Sequence, residues 1–290
     1  MRRGRIKKVK SSAGGGFAAF AFLLPSIAGV LIFVLIPFAD AVRRSFFDSM
    51  GRNFKGIENY QSVFSNEAFQ LAVKNTAMFL GTCIPLLLAI SLVIALLVRA
   101  VRPKGRAYKT TYLIPMAVPV ASIVLLWQML FHDQGLINAV LTAMGMDPVS
   151  FMETNAAFWV LVGTYLWKNS GYHMILWLAG LDGIPDSLYE AARVDGAGAI
   201  QCFLHITLPE LLPVLFLSAV LGLVNAFKVF REAYLVAGAY PHPSIYQLQH
   251  LFNNWFAELD VGRLCAGAVV VALVCLCLIL FLQKAFSRED

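Results

Sequence analysis

Asn169 sits between Tyr165 and Tyr172 in the middle of an otherwise apolar run. Separations of four and then three residues bring the three onto one face of a helix, and Lys168 borders that face. An amide and two phenols so arranged can hydrogen-bond the hydroxyls of a sugar and stack against its ring. Polar side chains are expensive among apolar ones in a membrane and point to function by default. Packing between helices is the competing role, since Tyr and Asn also join helices. Three uses are open to Lys168: pairing with a partner's carboxylate, meeting an anionic sugar, or snorkelling outward.

A second stretch, Ile184–Pro209, reads IPDSLYEAARVDGAGAIQCFLHITLP. Pro185 closes the preceding helix, and Ser187 with Glu190 three residues later predicts a capping box. A short helix should follow through about Val194. Asp195-Gly196 breaks it, because glycine takes positive φ at no steric cost. A second helical stretch, Ala199–Ile206, leads to Pro209, a residue suited to the first turn of the next helix. Leu188, Ala191, Ala192 and Val194 give this helix-turn-helix more apolar surface than a solvent linker needs. An apolar patch rimmed by charge marks a protein interface.

The elements that must hold these residues are set by composition. Of 290 residues, 59% are hydrophobic and 14% charged, whereas soluble domains carry about 25% charged residues. The bilayer is the solvent that accommodates this surface. Six segments are candidate spans: Phe17–Phe38, Ala77–Val98, Tyr112–Phe131, Ala156–Leu181, Leu211–Phe227 and Cys265–Leu282. Each must satisfy its backbone internally, so helices are predicted. Basic residues cluster at Arg2, Arg3, Arg5, Lys7, Lys8 and Lys10, and again at Arg99, Arg102, Lys104, Arg106 and Lys109. By the positive-inside rule both clusters are cytoplasmic, which places 44–74 and 132–155 outside, 182–210 inside and both termini in the cytoplasm. The reading divides the chain into a basic tail (1–16), a first helix with its outer loop (17–70), a transmembrane core (71–282) carrying the loop 184–209, and a short tail (283–290).

Several function classes are excluded or demoted. The net charge of +6 lies in topological clusters rather than in a basic helix or an aromatic-interleaved strand, so nucleic acid is not a partner. Cys83, Cys202, Cys265, Cys275 and Cys277 show no metal spacing and read as small apolar fillers. His242 and His250 read as isolated outer-loop residues, and Trp127 with Gln128 as part of an interface belt. No extramembrane stretch is long enough for a catalytic domain. No G-x-x-x-x-G-K-[ST] loop occurs, so the chain binds no ATP itself.

The loop resembles the motif of binding-protein-dependent ABC importer permeases: Glu-Ala-Ala, three residues, Gly, nine residues, Ile, one residue, Leu-Pro. Its fixed positions stand here as Glu190, Ala191, Ala192, Gly196, Ile206, Leu208 and Pro209. The continuation Asp195-Gly196-Ala197 is similar to the carbohydrate branch, that of the maltose and glycerol-phosphate permeases. The resemblance runs through Gly56-Ile57-Glu58-Asn59-Tyr60, Asn75-Thr76 and Gly135-Leu136-Ile137-Asn138. It implies an all-α membrane protein of six transmembrane helices with the type I ABC importer permease fold, in a bacterial inner membrane. Glu190 would contact a separate ATPase, Ala191 and Ala192 would allow close approach, and Gly196 would set the bend. It also implies sugar contacts at positions matching Tyr165, Asn169 and Tyr172, joined by Gly222, Asn225 and Ala226 of the next span. ATP and Mg would sit on two partner ATPase subunits. A second, non-identical permease and an extracytoplasmic solute-binding protein would complete the machine, the latter docking on outer loops 44–74 and 229–263.

An ABC permease for another small polar solute is a neighbouring reading. A carrier driven by an ion gradient is one from a different class, and would use buried carboxylates or a discontinuous helix. The sequence places no Asp or Glu near the centre of an expected span. An intramembrane enzyme would need His, Asp or Ser clusters at depth, and none is evident.

Overall fold

The computed structural model describes residues 13–101 and 107–286, and these are helical with short connections. Basic residues Arg2 to Lys10 and Arg102, Lys104 and Arg106 lie outside the described residues. The chain opens with α1 (Ala13–Val30), a π turn at Leu31–Leu35 and α2 (Ile36–Arg44). A loop and α3 (Glu58–Ser65) lead into the long α4 (Glu67–Val101). Asn66 starts α4, its Oδ1 accepting the Phe69 N–H at 2.9 Å, which satisfies one of the free amides of a helix start.

The expected third span is not one helix. α5 (Ala107–Ala117) ends before Val118-Pro119, and α6 (Val120–Phe131) starts anew. Pro119 has ψ 144°, an extended setting that no helix continues through. α7 (Leu136–Ala143) follows, then α8 (Ala156–Gly183), whose 28 residues run about 42 Å. Half of α8 is buried, and it packs along α4, α5 and α12 (Leu212–Ala226). It is the central post of the fold.

The close crossing of α5 on α8 depends on Gly171. A Cβ there would lie 1.7 Å from the Tyr112 carbonyl oxygen, so only glycine lets the two backbones meet. On one side of this post, Phe79, Leu87, Ile123, Trp127, Leu161 and Tyr165 form a buried cluster. Trp127 is therefore core, 4% exposed, rather than an interface anchor. On the other side Ala95, Met174, Trp177, Leu181 and Leu211 form a second cluster.

Five helical stretches among the described residues are long and apolar enough to cross a membrane: Phe22–Arg44, Glu67–Val101, Val120–Ala143, Leu212–Ala237 and Val261–Phe286. The last is α15. α8 is not among them, although it is long enough, because Lys168, Asn169 and Ser170 interrupt its apolar run. The helix beginning at Leu212 does not end at Phe227 as its hydropathy suggests. It passes through a 3-10 turn, Phe227–Val229, into α13 (Phe230–Ala237). Part of the expected outer loop 229–263 is thus a continuation of a span. The remainder holds α14 (Leu248–Ala257), packed on α4 and α15.

Candidate functional site

Extending that helix through the 3-10 turn brings new side chains up to the polar face of α8. A cavity of about 200 Å³ lies between them, lined by Tyr165, Lys168, Asn169, Asn225, Lys228 and Glu232 among others. Lys168 Nζ donates to Glu232 Oε1 at 2.5 Å, joining α8 to α13. Glu232 is 3% exposed, and its Oε2 has no partner. A carboxylate this dry is tolerated because it is paired. Lys168 thus pairs with a carboxylate of its own chain, a use outside the three expected from the sequence.

The remaining residues of the polar face separate into lining and support. Tyr165 donates its hydroxyl to the Gly222 carbonyl at 2.7 Å, and Asn169 donates to the Tyr165 carbonyl at 2.8 Å. Asn225 Oδ1 accepts from Lys228 Nζ at 2.9 Å. Gly222 is buried beneath Tyr165, Leu87 and His173 and does not reach the cavity. Tyr172 is not among the residues that line it, and meets His173 edge to face at 5.5 Å. His173 in turn bonds Ser218 of α12 at 2.5 Å. Tyr165, Lys168, Asn169 and Asn225 are therefore brought together, while Tyr172 and Gly222 are not.

Glu232 and Lys228 were missed in the sequence; Glu232 is a buried carboxylate toward the end of the stretch Leu212–Ala237, not at its centre. A signal existed. Asn225, Lys228 and Glu232 stand at i, i+3 and i+7, one face of a helix, provided the helix is followed past Phe227.

The loop Ile184–Pro209 folds as α9 (Asp186–Val194), α10 (Ala199–Cys202), a π turn at Phe203–Thr207 and α11 (Leu208–Glu210). Ser187 is not its cap. Pro185 occupies the capping position with ψ 131°, and no side chain bonds the free amides there. Proline fixes the entry two residues too early for Ser187 to serve. Asp195 ends α9, and Gly196 follows at φ +84°. Gly196 N–H donates to the Arg193 carbonyl at 3.1 Å and Ala197 N–H to the Ala192 carbonyl at 2.9 Å. This pair of bonds is a Schellman motif, the left-handed ending that glycine favours. Ala192 and Ala197 face each other across it, while Glu190, Ala191 and Val194 are exposed. Ile206 and Leu208 are half-buried or partly so at the foot of the next helix, beside Pro209.

The other segments that carry the family resemblance are ties between elements. Asn59 donates to the carbonyls of Ser45 and Phe47 at 2.8 and 2.7 Å. Asn75 of α4 donates to the carbonyls of Pro243 and Tyr246, and Thr76 accepts the Leu248 N–H at 3.1 Å. Asn138 exchanges hydrogen bonds with Val149 at 2.9 and 2.8 Å. Each helps to fasten a loop to a helix.

Residues 81–288 match the family model described as "Binding-protein-dependent transport system inner membrane component". The chain is 31% identical over 279 residues to the probable ABC transporter permease protein YurN of Bacillus subtilis, covering 92% of this chain and 95% of that one. It is likewise 31% identical over 283 residues to the trehalose/maltose transport system permease protein MalF of Thermococcus litoralis, covering 93% and 94%. The fold superposes with a TM-score of 0.80 and 25% identity on a chain from a bacterial ABC transporter involved in the import of the acidic polysaccharide alginate, covering 96% of this chain and 97% of that one. With its helical core, polar cleft and protruding loop, this chain belongs to the binding-protein-dependent ABC transporter permeases, multi-pass proteins of the inner membrane.

Proposed function

We propose that this permease forms half of an ATP-driven import pathway for a sugar or sugar derivative, and that α9 is where a separate ATPase docks. The observation that carries the docking reading is α9 itself: none of its residues is buried, and Glu190 and Ala191 lie on its exposed side. An exposed helix with small residues at the point of approach suits insertion into a groove of another protein. Relatives named for trehalose/maltose, sn-glycerol-3-phosphate and sulfoquinovosyl glycerol transport support the carbohydrate class.

In this reading α8 is a sixth span, its polar run turned to the cleft rather than to lipid. The arrangement is then of type I, with both termini and α9 in the cytoplasm. ATP and Mg belong to two ATPase subunits. A second, non-identical permease supplies the facing half of the cleft, and a solute-binding protein delivers from outside to the loops around α3 and α14. Tyr165, Lys168, Asn169 and Asn225 contact the passing solute or hold those that do, with Tyr172 and Gly222 supporting from behind. Glu232 would suit an ion-gradient carrier, but its charge is already held by Lys168.

Glu190→Lys combined with Ala191→Glu should abolish ATP-coupled uptake and release the ATPase, while membrane insertion is unchanged. Uptake at the parent rate, or labelling of residues 187–209 from the external medium, would overturn the reading. Asn169→Leu should impair transport with the ATPase still bound.

A further inference from the structure

α9 has little hold on the rest of its own chain. Within Asp186–Val194 only Tyr189 and Ala192 are even partly covered, and alanine has no reach. Tyr189 has. Its ring packs on the cluster formed by Trp177, Leu181 and Leu211, where α4, α8 and the start of α12 converge. The Arg99 guanidinium, at the end of α4, stands 5.9 Å from the ring centroid, within the range of a cation–π contact. The phenolic hydroxyl meets Thr207 Oγ1 at 2.9 Å, and Thr207 lies in the π turn that feeds the next span.

We propose that Tyr189 is the positioning residue that ties the docking helix to the membrane spans, so that displacement of α9 moves α4 and the foot of α12 with it. This rests on the reading of α9 as the ATPase-docking element. The argument is mechanical. A helix attached at both ends by short turns transmits direction only if a side chain braces it against the body it must move. Tyr189 is the large side chain of α9 that is placed to do so, and it reaches two different elements through chemically different contacts. Coupling carried through packed side chains with discrete arrangements is sensitive to single substitutions.

The test uses the assembled importer in vesicles, with MgATP and vanadate as the only ligands. Met116, which lines the cleft, is replaced by cysteine in a background whose five native cysteines are alanine, and its maleimide labelling rate reports the state of the cleft. In the parent, MgATP with vanadate should change that rate by about tenfold. Tyr189→Leu should reduce the change to less than about twofold, while the ATPase still co-purifies and still hydrolyses MgATP. A merely structural role would lower assembly and hydrolysis together. Tyr189→Phe, which keeps the ring over Arg99 and removes the hydroxyl, should fall between, and it carries the test if the leucine variant does not accumulate. A parent-sized labelling change in either variant would overturn the inference. So would loss of the ATPase from Tyr189→Leu, which would make the residue part of the docking surface. Retention of the ATPase by Glu190→Lys with Ala191→Glu would instead overturn the docking reading, a separate result.

Discussion

Lys168 and Glu232, 64 residues apart, form an ion pair across the cleft with Nζ 2.5 Å from Oε1, a polar bond from α8 to α13. Neither charge is free to leave: the lysine side chain is 20% exposed and the carboxylate 5%. The pair ties down α13, the stretch that follows the 3-10 turn. It spans the same cleft that Asn169 and Asn225 line.

Breaking one side of such a pair leaves a stranded charge. Glu232→Leu should destabilise the protein by roughly 3 kcal/mol, because Lys168 loses its counter-ion in an apolar setting. Lys168→Met added to it should recover most of that loss, since two apolar groups replace two ions. Thermal unfolding of the detergent-purified chain, followed by intrinsic fluorescence, measures both. Equal melting temperatures for the single and double variants would show that the pair carries no stability.

Gly171→Ala should be among the most damaging small changes in the chain. The added methyl would overlap the Tyr112 carbonyl, forcing α5 off α8 at a cost of about 3 kcal/mol or more. Gly163, on the same helix, has open space where a Cβ would go. Gly163→Ala is the matched control, expected to express and melt like the parent, and protein yield with melting temperature separates the two.

His250 gives the fold an acid limit. It is fully buried, stacked on Tyr246 at 5.7 Å and edge-on to Phe230 at 4.7 Å, and burial pushes its imidazole down to about 4. Because the folded state disfavours the charged ring, this contribution is complete above about pH 6.5 and is lost as pH falls from there toward 4. The stability at stake is about 3 kcal/mol. His250→Phe should flatten the melting profile across that interval, and a variant with the parent's acid slope would exclude His250 as its source.

Gly196 should tolerate asparagine better than valine and should not tolerate proline. At φ +84° a β-branched side chain is strained by about 1–2 kcal/mol, and proline also removes the amide that bonds Arg193. The readout is protection of the Ala192 to Ala197 amides against hydrogen exchange, with loss expected in the order Asn, Val, Pro. Uniform protection in all three would mean that the Schellman turn is held from elsewhere.

The parts of this architecture that were legible in the sequence are those written locally. The apolar run of α4, the break at Asp195-Gly196 and the shared face of Tyr165 and Asn169 need only nearest neighbours and helical period. What was illegible depends on distant residues or on a backbone setting that outweighs a motif. Pro185 claims the helix entry that Ser187 and Glu190 seemed to mark. Trp127 has the composition of an interface residue and the surroundings of a core one. The Lys168–Glu232 pair is invisible to hydropathy, which ends the span carrying Asn225 at Phe227. Hydropathy falls there because Lys228, Arg231 and Glu232 are charged, although three of the cleft's lining groups are those same residues.

The near-isolation of α9 has a practical corollary for anyone screening variants of this chain. Changes on its outward side alter almost nothing that the lone polypeptide can register, so heat, denaturant and expression level will all score them as silent. Their penalty falls due only in the working assembly, where a stretch that its owner scarcely grips is gripped by someone else.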